Sequence, residues 1–336
     1  MSVKTSTKLT TNRILIGDVR EKLQELPAES IDMVITSPPY FRLRNYGSKE
    51  QIGLESHVDQ WVEELRTVFR GLHRVLKSTG SVWLNLGDTY SGGVKDGAVA
   101  KSLLLAPERL ALALQEDGWI LRNKVIWSKP NPMPTSVKDR LSCTYEVVYF
   151  LAKSSRYFFD LDAIRVPHAG SIGKSNGQGS SWSVPISWRG PSAGSNSGLD
   201  RLKAQGMAGH PLGKNPGDVW SIATAGFRGA HHAVFPQKLV ERPLLATCPE
   251  KVCSACGSPW RRGPPDKTAS AQAIGALTKH CNCQNDSTEP GVVLDPFMGS
   301  GTTAVAAEQH EREWIGVEMN PEFAGLAMER IKAARR

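Results

Sequence analysis

The chain of 336 residues has no run of 18 uninterrupted apolar residues, so a membrane-spanning helix is not expected. Its opening, MSVKTSTKLT, lacks an apolar core, so a secretory signal is not expected and the location implied is cytoplasmic. Six cysteines are too few for a disulfide scaffold, and four of them cluster, which points to metal in a reducing compartment. No internal repeat is visible. Acidic residues are the minority, 33 against 41 Lys and Arg, for a net charge of +8 that permits a nucleic-acid partner without establishing one. Hydrophobic residues at 40% and charged residues at 22% exclude a wholly disordered chain. At about 150 residues per domain, the length suggests one large domain or two ordinary ones.

The first 160 residues alternate strand and helix. Strands are predicted at 13–16, 31–35, 81–86, 121–127 and 146–152. Helices are predicted at 19–26, from a cap at Ser56 through Leu76 with Gly80 ending the segment, and at 101–116. A Pro-rich loop, 129–134, separates the last two strands. The pattern returns with a strand at 292–294, a helix at 302–309, a strand at 314–317 and a helix at 321–334. Such alternation describes an open, mainly parallel sheet.

Between these blocks the composition changes. Residues 168–217 hold 20 Gly and Ser in 50 positions, too little apolar material for a core, yet they include Trp182 and Trp188. Residues 153–238 carry ten Lys and Arg against four Asp and Glu, a net of +6. This is either a solvated loop region or a loop-rich surface that follows a polyanion.

Two motifs carry chemistry. The string Asp295-Pro296-Phe297-Met298-Gly299-Ser300-Gly301-Thr302-Thr303 sits between a strand and a helix, and the next strand ends at Glu318, 23 residues after Asp295. Glycines let backbone N–H groups approach a ligand, the helix adds its positive end, and an acid at Glu318 can accept from both ribose hydroxyls. The string lacks the third glycine of a dinucleotide fingerprint and the Gly-Lys-Ser/Thr of a phosphate loop. An acid at Asp295 repels pyrophosphate and suits a cation, such as the sulfonium and amino group of S-adenosylmethionine. The second motif, Thr36-Ser37-Pro38-Pro39-Tyr40, ends a strand with a tandem proline that fixes the backbone. Ser37 offers a hydroxyl acceptor and Tyr40 a flat face, which together suit a planar ring bearing an exocyclic amine.

TSPPY early and DPFMGSGTT late resemble the amino-group DNA methyltransferases in their β-class permutation, in which the catalytic motif precedes the target-recognition region and the cofactor motif follows. Gly17-Asp18, the 81–88 strand, WSKPNPMP with Asp139-Arg140, and Phe235-Pro236 resemble the family's intermediate motifs. The resemblance covers residues 12–160 and 216–334. It implies an α/β, Rossmann-like methyltransferase fold with a loop-rich recognition region. The implied organisation is a catalytic half at 12–160, target recognition at 161–230, a cofactor-binding half at 231–247 and 290–336, and a metal-binding insert at 248–289. It carries cofactor binding to Asp18, Thr36, Phe235, Asp295, Pro296 and Phe297, and to Gly299, Ser300, Gly301, Thr302 and Glu318. Catalysis falls to Ser37, Pro38, Pro39 and Tyr40. Serine in the first motif position is typical of the cytosine-N4 branch, whereas the adenine-N6 branch more often has Asp-Pro-Pro-Tyr.

The implied reaction moves a methyl group from S-adenosylmethionine to the N4 amine of a cytosine flipped out of duplex DNA. Tyr40 stacks on the base, while Ser37 and the Pro38 carbonyl accept from the amine and aim its lone pair. The Pro-Cys loop of C5-cytosine enzymes is missing, and no cysteine nucleophile is needed. Implied partners are double-stranded DNA and a restriction endonuclease on a separate chain, in a bacterial or phage system; the chain acts as a monomer or homodimer. Rival readings are an adenine-N6 enzyme on the same scaffold, a nicotinamide-dependent oxidoreductase, and a DNA-binding protein that kept the fold without catalysis.

Cys253-x-x-Cys256 is followed after 24 residues by Cys281-x-Cys283, two thiol pairs that suit tetrahedral structural zinc, with free thiols as the alternative. The second pair is tighter than the usual spacing. His280 and Cys248 are spare candidates, and four thiolates leave no open position for catalysis. His231 and His232 read as surface residues with no role.

Overall fold

A computed structural model describes residues 9–48, 50–167, 210, 212–225, 234–263 and 274–335. Trp182, Trp188, His231, His232 and most of the 161–230 stretch lie outside the described residues.

The alternating pattern builds one eight-stranded sheet. Its strands are β1 (Arg13–Ile16), β2 (Ile31–Thr36), β3 (Leu76–Leu86), β4 (Ile120–Ser128), β5 (Tyr145–Ala152), β6 (Val219–Ser221), β11 (Val292–Asp295) and β12 (Glu313–Glu318). Four two-residue strands fall between, β7 (Val252–Cys253), β8 (Arg261–Arg262), β9 (Leu277–Thr278) and β10 (Thr288–Glu289). The sheet order is β1-β12-β11-β2-β3-β5-β4-β6. The pairings from β1 through β3 are parallel, and β5 runs antiparallel to both neighbours. Two C-terminal strands are thus wedged between two N-terminal ones, which is the permuted order in physical form.

Side chains on these strands alternate between two cores. Val82, Leu84, Val147, Leu294 and Val317 face one core, where α1 (Val19–Lys22), α2 (Val58–Val75) and α3 (Ala106–Glu116) pack. Trp83, Val148, Phe150, Val293 and Trp314 face the other, against α4 (Gln237–Thr247), α5 (Thr302–Gln309) and α6 (Pro321–Ala334). Both faces of the sheet are covered, as a parallel sheet requires. The described residues fall into two compact units, one drawn from 9–160, 217–261 and 279–335 and the other from 161–216 and 262–278. Within the second, Val166 and Lys214 exchange backbone hydrogen bonds of 3.0 and 2.9 Å. No helix among the described residues is long and apolar enough to cross a membrane.

Several boundaries differ from expectation. Helix α2 starts from His57, not Ser56: the His57 ring nitrogen accepts from the Asp59 N–H, while Gln60 accepts from the His57 backbone and the Ser56 hydroxyl. The same helix stops at Val75, and β3 begins at once because Leu76 pairs with Ile31 and Lys77 is drawn to Asp32. Helix α3 begins at Ala106 rather than 101. The Asp88 carboxylate accepts the N–H groups of Leu105 and Ala106 at 3.0 and 3.1 Å, and Pro107 suits the first turn. The 19–26 helix splits into α1 and a 3-10 turn, Leu23–Glu25.

Lys77 binds both Asp32 oxygens at 2.8 and 2.9 Å, and Asp32 also accepts the Val292 N–H at 2.9 Å. This buried carboxylate therefore bonds to β2's neighbours on both sides. Asp32→Ala should cost roughly 3–5 kcal/mol, the scale for stranding one buried charge. Replacing both partners, Asp32→Leu with Lys77→Met, should recover part of that loss, the unpaired Val292 N–H keeping the rest. Urea unfolding midpoints measure this; a double variant no more stable than Asp32→Ala would show that the pair does not act as a unit.

Candidate active site

Parallel strands end together, so the loops after β1, β12, β11, β2 and β3 gather at one edge of the sheet, where open α/β folds carry ligands. They line a cavity of about 990 Å³. By sheet order, the β1–β12–β11 end brings Asp18, the Pro296–Ser300 loop and Glu318 to it. The β2–β3–β5–β4 end brings Ser37, Tyr40, Asn85, Lys129 and Glu146. Phe235 and Thr302 also line it. The two motifs, about 260 residues apart in sequence, share one cavity.

At the first end, Glu318 accepts the Gly299 N–H at 2.8 Å and the Asn320 N–H at 2.9 Å, and burial raises its carboxyl pKa against those bonds. Asp18 caps α1 and accepts from the Arg20 backbone and guanidinium at 2.7 and 2.9 Å. Burial pushes the Asp18 carboxyl up, but the bonds and charge of Arg20 outweigh it and leave the pKa below the ordinary value. Gly301 starts α5 at φ +79°, and a Cβ there would stand 2.9 Å from the Ala327 Cβ, so only glycine fits the helix's approach to α6.

Not every residue expected here reaches the cavity. Asp295, Thr36 and Gly301 do not line it. The Asp295 carboxylate is buried, accepting from the hydroxyls of Thr36 at 2.8 Å and Thr303 at 2.7 Å and from the Phe297 N–H at 3.1 Å. Its oxygens hold two strands and a helix start in place, behind the cavity wall. Acids that do line the first end are Asp18 and Glu318.

At the second end, the Pro39 carbonyl accepts from the buried Trp61 indole at 2.9 Å. The Pro38 carbonyl accepts from no donor among the described residues. Gly87 is required because a Cβ would lie 2.7 Å from the Tyr40 ring. The Tyr40 hydroxyl donates to Glu146 at 2.7 Å and accepts from the Asn85 amide at 2.6 Å, with the Ser37 hydroxyl 3.0 Å away. Burial, then the Glu146 charge, raise the Tyr40 pKa well above the ordinary tyrosine value, so the phenol keeps its proton and spends it on Glu146. The Ser37 proton is thereby directed to Tyr40; the Asn85 amide donates to Ser37 Oγ at 3.3 Å, which leaves one Ser37 lone pair unused. Lys129 pairs with Glu146 and lies 4.7 Å from the Trp127 ring centre. Asn85 is 4% exposed, and its Oδ1 is buried with no hydrogen-bond partner: an unused acceptor on a residue that lines the cavity.

Glu146, Asn85 and Lys129 were not among the expected site residues. A signal existed for two of them. Asn85 interrupts the apolar run of β3, and Glu146 opens the otherwise apolar run of β5. A polar group in a strand buried on both faces needs a partner or a function.

A family profile described as DNA methylase matches residues 31–329. The Type II methyltransferase M.SmaI of Serratia marcescens is 33% identical over 96% of this chain and 91% of its own length. M.Cfr9I of Citrobacter freundii is 33% identical over 94% of this chain and 86% of its own. Among solved structures, the PvuII DNA methyltransferase, titled cytosine-N4-specific, shares the fold with a TM-score of 0.57 at 20% identity, covering 97% of this chain and 92% of that one. A Thermus thermophilus protein solved with S-adenosyl-L-methionine shares it with a TM-score of 0.53 at 20% identity, over 96% and 95% of the two chains.

Burial pushes the Asp295 carboxyl up to about 6 against the pull of Thr303, Thr36 and Phe297. The raised value means that the folded state holds the proton more tightly than the unfolded chain. Its contribution to stability is full below the ordinary range near pH 4 and is lost as pH rises through about 6. Relative to Asp295→Asn, the native protein should lose about 3 kcal/mol across that window. Urea unfolding of both proteins between pH 4 and 7 measures the difference; parallel curves would remove the buried charge from the account.

Proposed function

We infer the reaction from kinship and geometry together: the chain belongs to the DNA methylase family of N6 and N4 amino-methyltransferases, and DNA is its substrate. We propose that it methylates the N4 amine of a cytosine flipped from duplex DNA, as the modification component of a restriction–modification system. The reading rests on one observation above all: Ser37-Pro38-Pro39-Tyr40 and the Pro296–Ser300 loop line the same cavity. Serine in the first motif position favours cytosine.

The methyl donor is S-adenosylmethionine, and the first end of the cavity fits it. Two carboxylates, Asp18 and Glu318, line that end to receive a cationic group and a ribose diol, and Phe235 and Phe297 offer apolar faces. When bound, the donor supplies a methyl group on a sulfonium, with a neutral thioether as leaving group. Asp295 and Thr36 act as positioning residues beneath the site.

At the second end, the two N–H groups of an extruded amine meet two acceptors, the Ser37 hydroxyl and the Pro38 carbonyl. Bonds from the amine to these oxygens draw its lone pair out of the ring and fix its direction, so rate is gained through orientation and electrostatics. Methylation makes the nitrogen acidic. Its proton passes to Ser37 Oγ as the Ser37 proton moves to Tyr40 Oη and the Tyr40 proton to Glu146, which ends protonated beside Lys129. The basic 161–230 stretch supplies target recognition, and its arginines suit guanine edges in the major groove.

Duplex DNA treated with the protein and S-adenosylmethionine, digested to nucleosides and weighed by mass spectrometry, should contain N4-methylcytosine. N6-methyladenine would overturn the base assignment, and an absence of methylated nucleosides would overturn the reading. Ser37→Ala and Glu146→Gln should keep cofactor affinity and lower kcat by ~10²-fold or more. Glu318→Ala should weaken cofactor binding by ~1–3 kcal/mol, the scale of a charge-assisted hydrogen bond. Calorimetric titration with the cofactor and single-turnover rates separate the two classes; an unchanged dissociation constant in Glu318→Ala would sink the ribose assignment.

A further inference from the structure

The insert between α4 and β11 has almost no core. Of its described apolar side chains from Lys251 to Glu289, only Val252, Cys253 and Pro259 are buried, and none belongs to the two cores that flank the sheet. Its two ladders are short: β7 with β10 pairs Cys253 with Thr288 and Val252 with Glu289, and β8 and β9 are two residues each. So short a ladder does not hold itself together in water.

Something else must order it, and four sulfurs converge there. The Sγ atoms of Cys253, Cys256, Cys281 and Cys283 all lie within 4.8 Å of one another. All six cysteines are free thiols. Disulfide formation would draw sulfurs together in pairs, to about 2.05 Å, with no reason for all four to meet. Tetrahedral zinc with bonds of about 2.3 Å requires four sulfurs mutually about 3.8 Å apart, inside the 4.8 Å limit of this cluster. The spare candidates, Cys248 and His280, are not in the cluster.

The surroundings suit thiolate ligands. Backbone N–H groups of Ala255 and Cys256 donate to the Cys253 sulfur, and that of Cys283 to the Cys281 sulfur. The Gly257 N–H closes the first turn on the Cys253 carbonyl at 2.8 Å. Lys279, paired with Asp286 at 2.8 Å, also bonds to the Cys283 carbonyl, which brings its ammonium beside the cluster. A positive charge there offsets the net negative charge of a zinc ion with four thiolates.

We propose that Cys253, Cys256, Cys281 and Cys283 bind one zinc ion that folds the 248–289 insert and takes no part in methyl transfer. Its place in the fold supports that division. The insert joins β11 at Val292, the strand's first residue, whereas Asp295, its last, lies at the cavity edge of the sheet. The neck is closed by the protein itself: the Gly291 N–H donates to the Pro249 carbonyl at 3.1 Å, and Arg312 donates to the Cys248 carbonyl at 3.1 Å. Metal loss therefore releases the insert and leaves the sheet intact. None of this depends on which base is methylated.

Full-length protein purified under reducing conditions without chelator should carry one equivalent of zinc by elemental analysis. A mercurial that titrates thiols should release that zinc to a colorimetric indicator. Cys256→Ser and Cys281→Ser should lose the metal and gain protease cuts between residues 257 and 280, while Cys143→Ser keeps it. Affinity for S-adenosylmethionine should be unchanged in all three. Should the serine variants fail to fold, cobalt added to metal-stripped native protein should give thiolate-to-cobalt absorption at one equivalent. A metal-free protein that gives no such absorption would overturn the site. Bound iron would overturn the choice of metal. Loss of cofactor affinity together with the metal in folded Cys256→Ser would overturn the separation of insert from reaction.

Discussion

The site depends on one buried carboxylate. Asp295 accepts hydroxyl bonds from Thr36 and Thr303, residues 259 positions before it and 8 after it. Those two bonds hold the end of β2, the end of β11 and the start of α5 at one level. Ser37 follows Thr36 directly, and the glycine loop follows Asp295. The relative height of the Ser37–Tyr40 loop and the glycine loop is therefore set by oxygens that lie behind the cavity wall. A charge kept out of water opposes folding, and the raised Asp295 pKa is the sign of that cost. The protein keeps the charge where a shift of an ångström between loops would disturb the line of transfer.

Around that anchor, the oxygen acceptors at the second end of the cavity are organised by direction of donation. Glu146 accepts the Tyr40 hydrogen bond, Tyr40 turns the Ser37 proton toward itself, and Ser37 keeps one lone pair unused. Trp61 occupies the Pro39 carbonyl and leaves that of Pro38 to the cavity. Each acceptor is prepared by a residue on another element: β5 for Glu146, β3 for Asn85, α2 for Trp61. A rigid scaffold thus serves a loop of four residues, and little reorganisation remains for the reaction itself.

Much of this was legible in the chain. Strands buried on both faces announce themselves as apolar runs, and TSPPY and DPFMGSGTT carry backbone requirements that few other turns meet. Proline and glycine report local geometry, so their message survives without a structure. What was not legible depends on pairing across the fold. Asp295 reads as a ligand for a cation, and only the approach of Thr36 and Thr303 reveals that its oxygens are spent. Glu146 and Asn85 look like blemishes in strands until β3 and β5 pair and bring them to Tyr40. The end of α2 was misplaced because Lys77 answers to Asp32 on another strand, and the start of α3 because Asp88 caps it from a distance. Periodicity cannot register either tie.

The wedging of β11 and β12 between β1 and β2 also sets an order of events during synthesis. Until about residue 318 has left the ribosome, β1 has no neighbour in the sheet, and β2 has only β3. The nascent chain must carry an open strand edge through most of its translation, and contacts of such long sequence separation form slowly. An unpaired edge invites other chains. The same delay has a use. The two halves of the cavity come together only when the last strands dock, so a product that ends before β12 lacks the Glu318 side of the cavity.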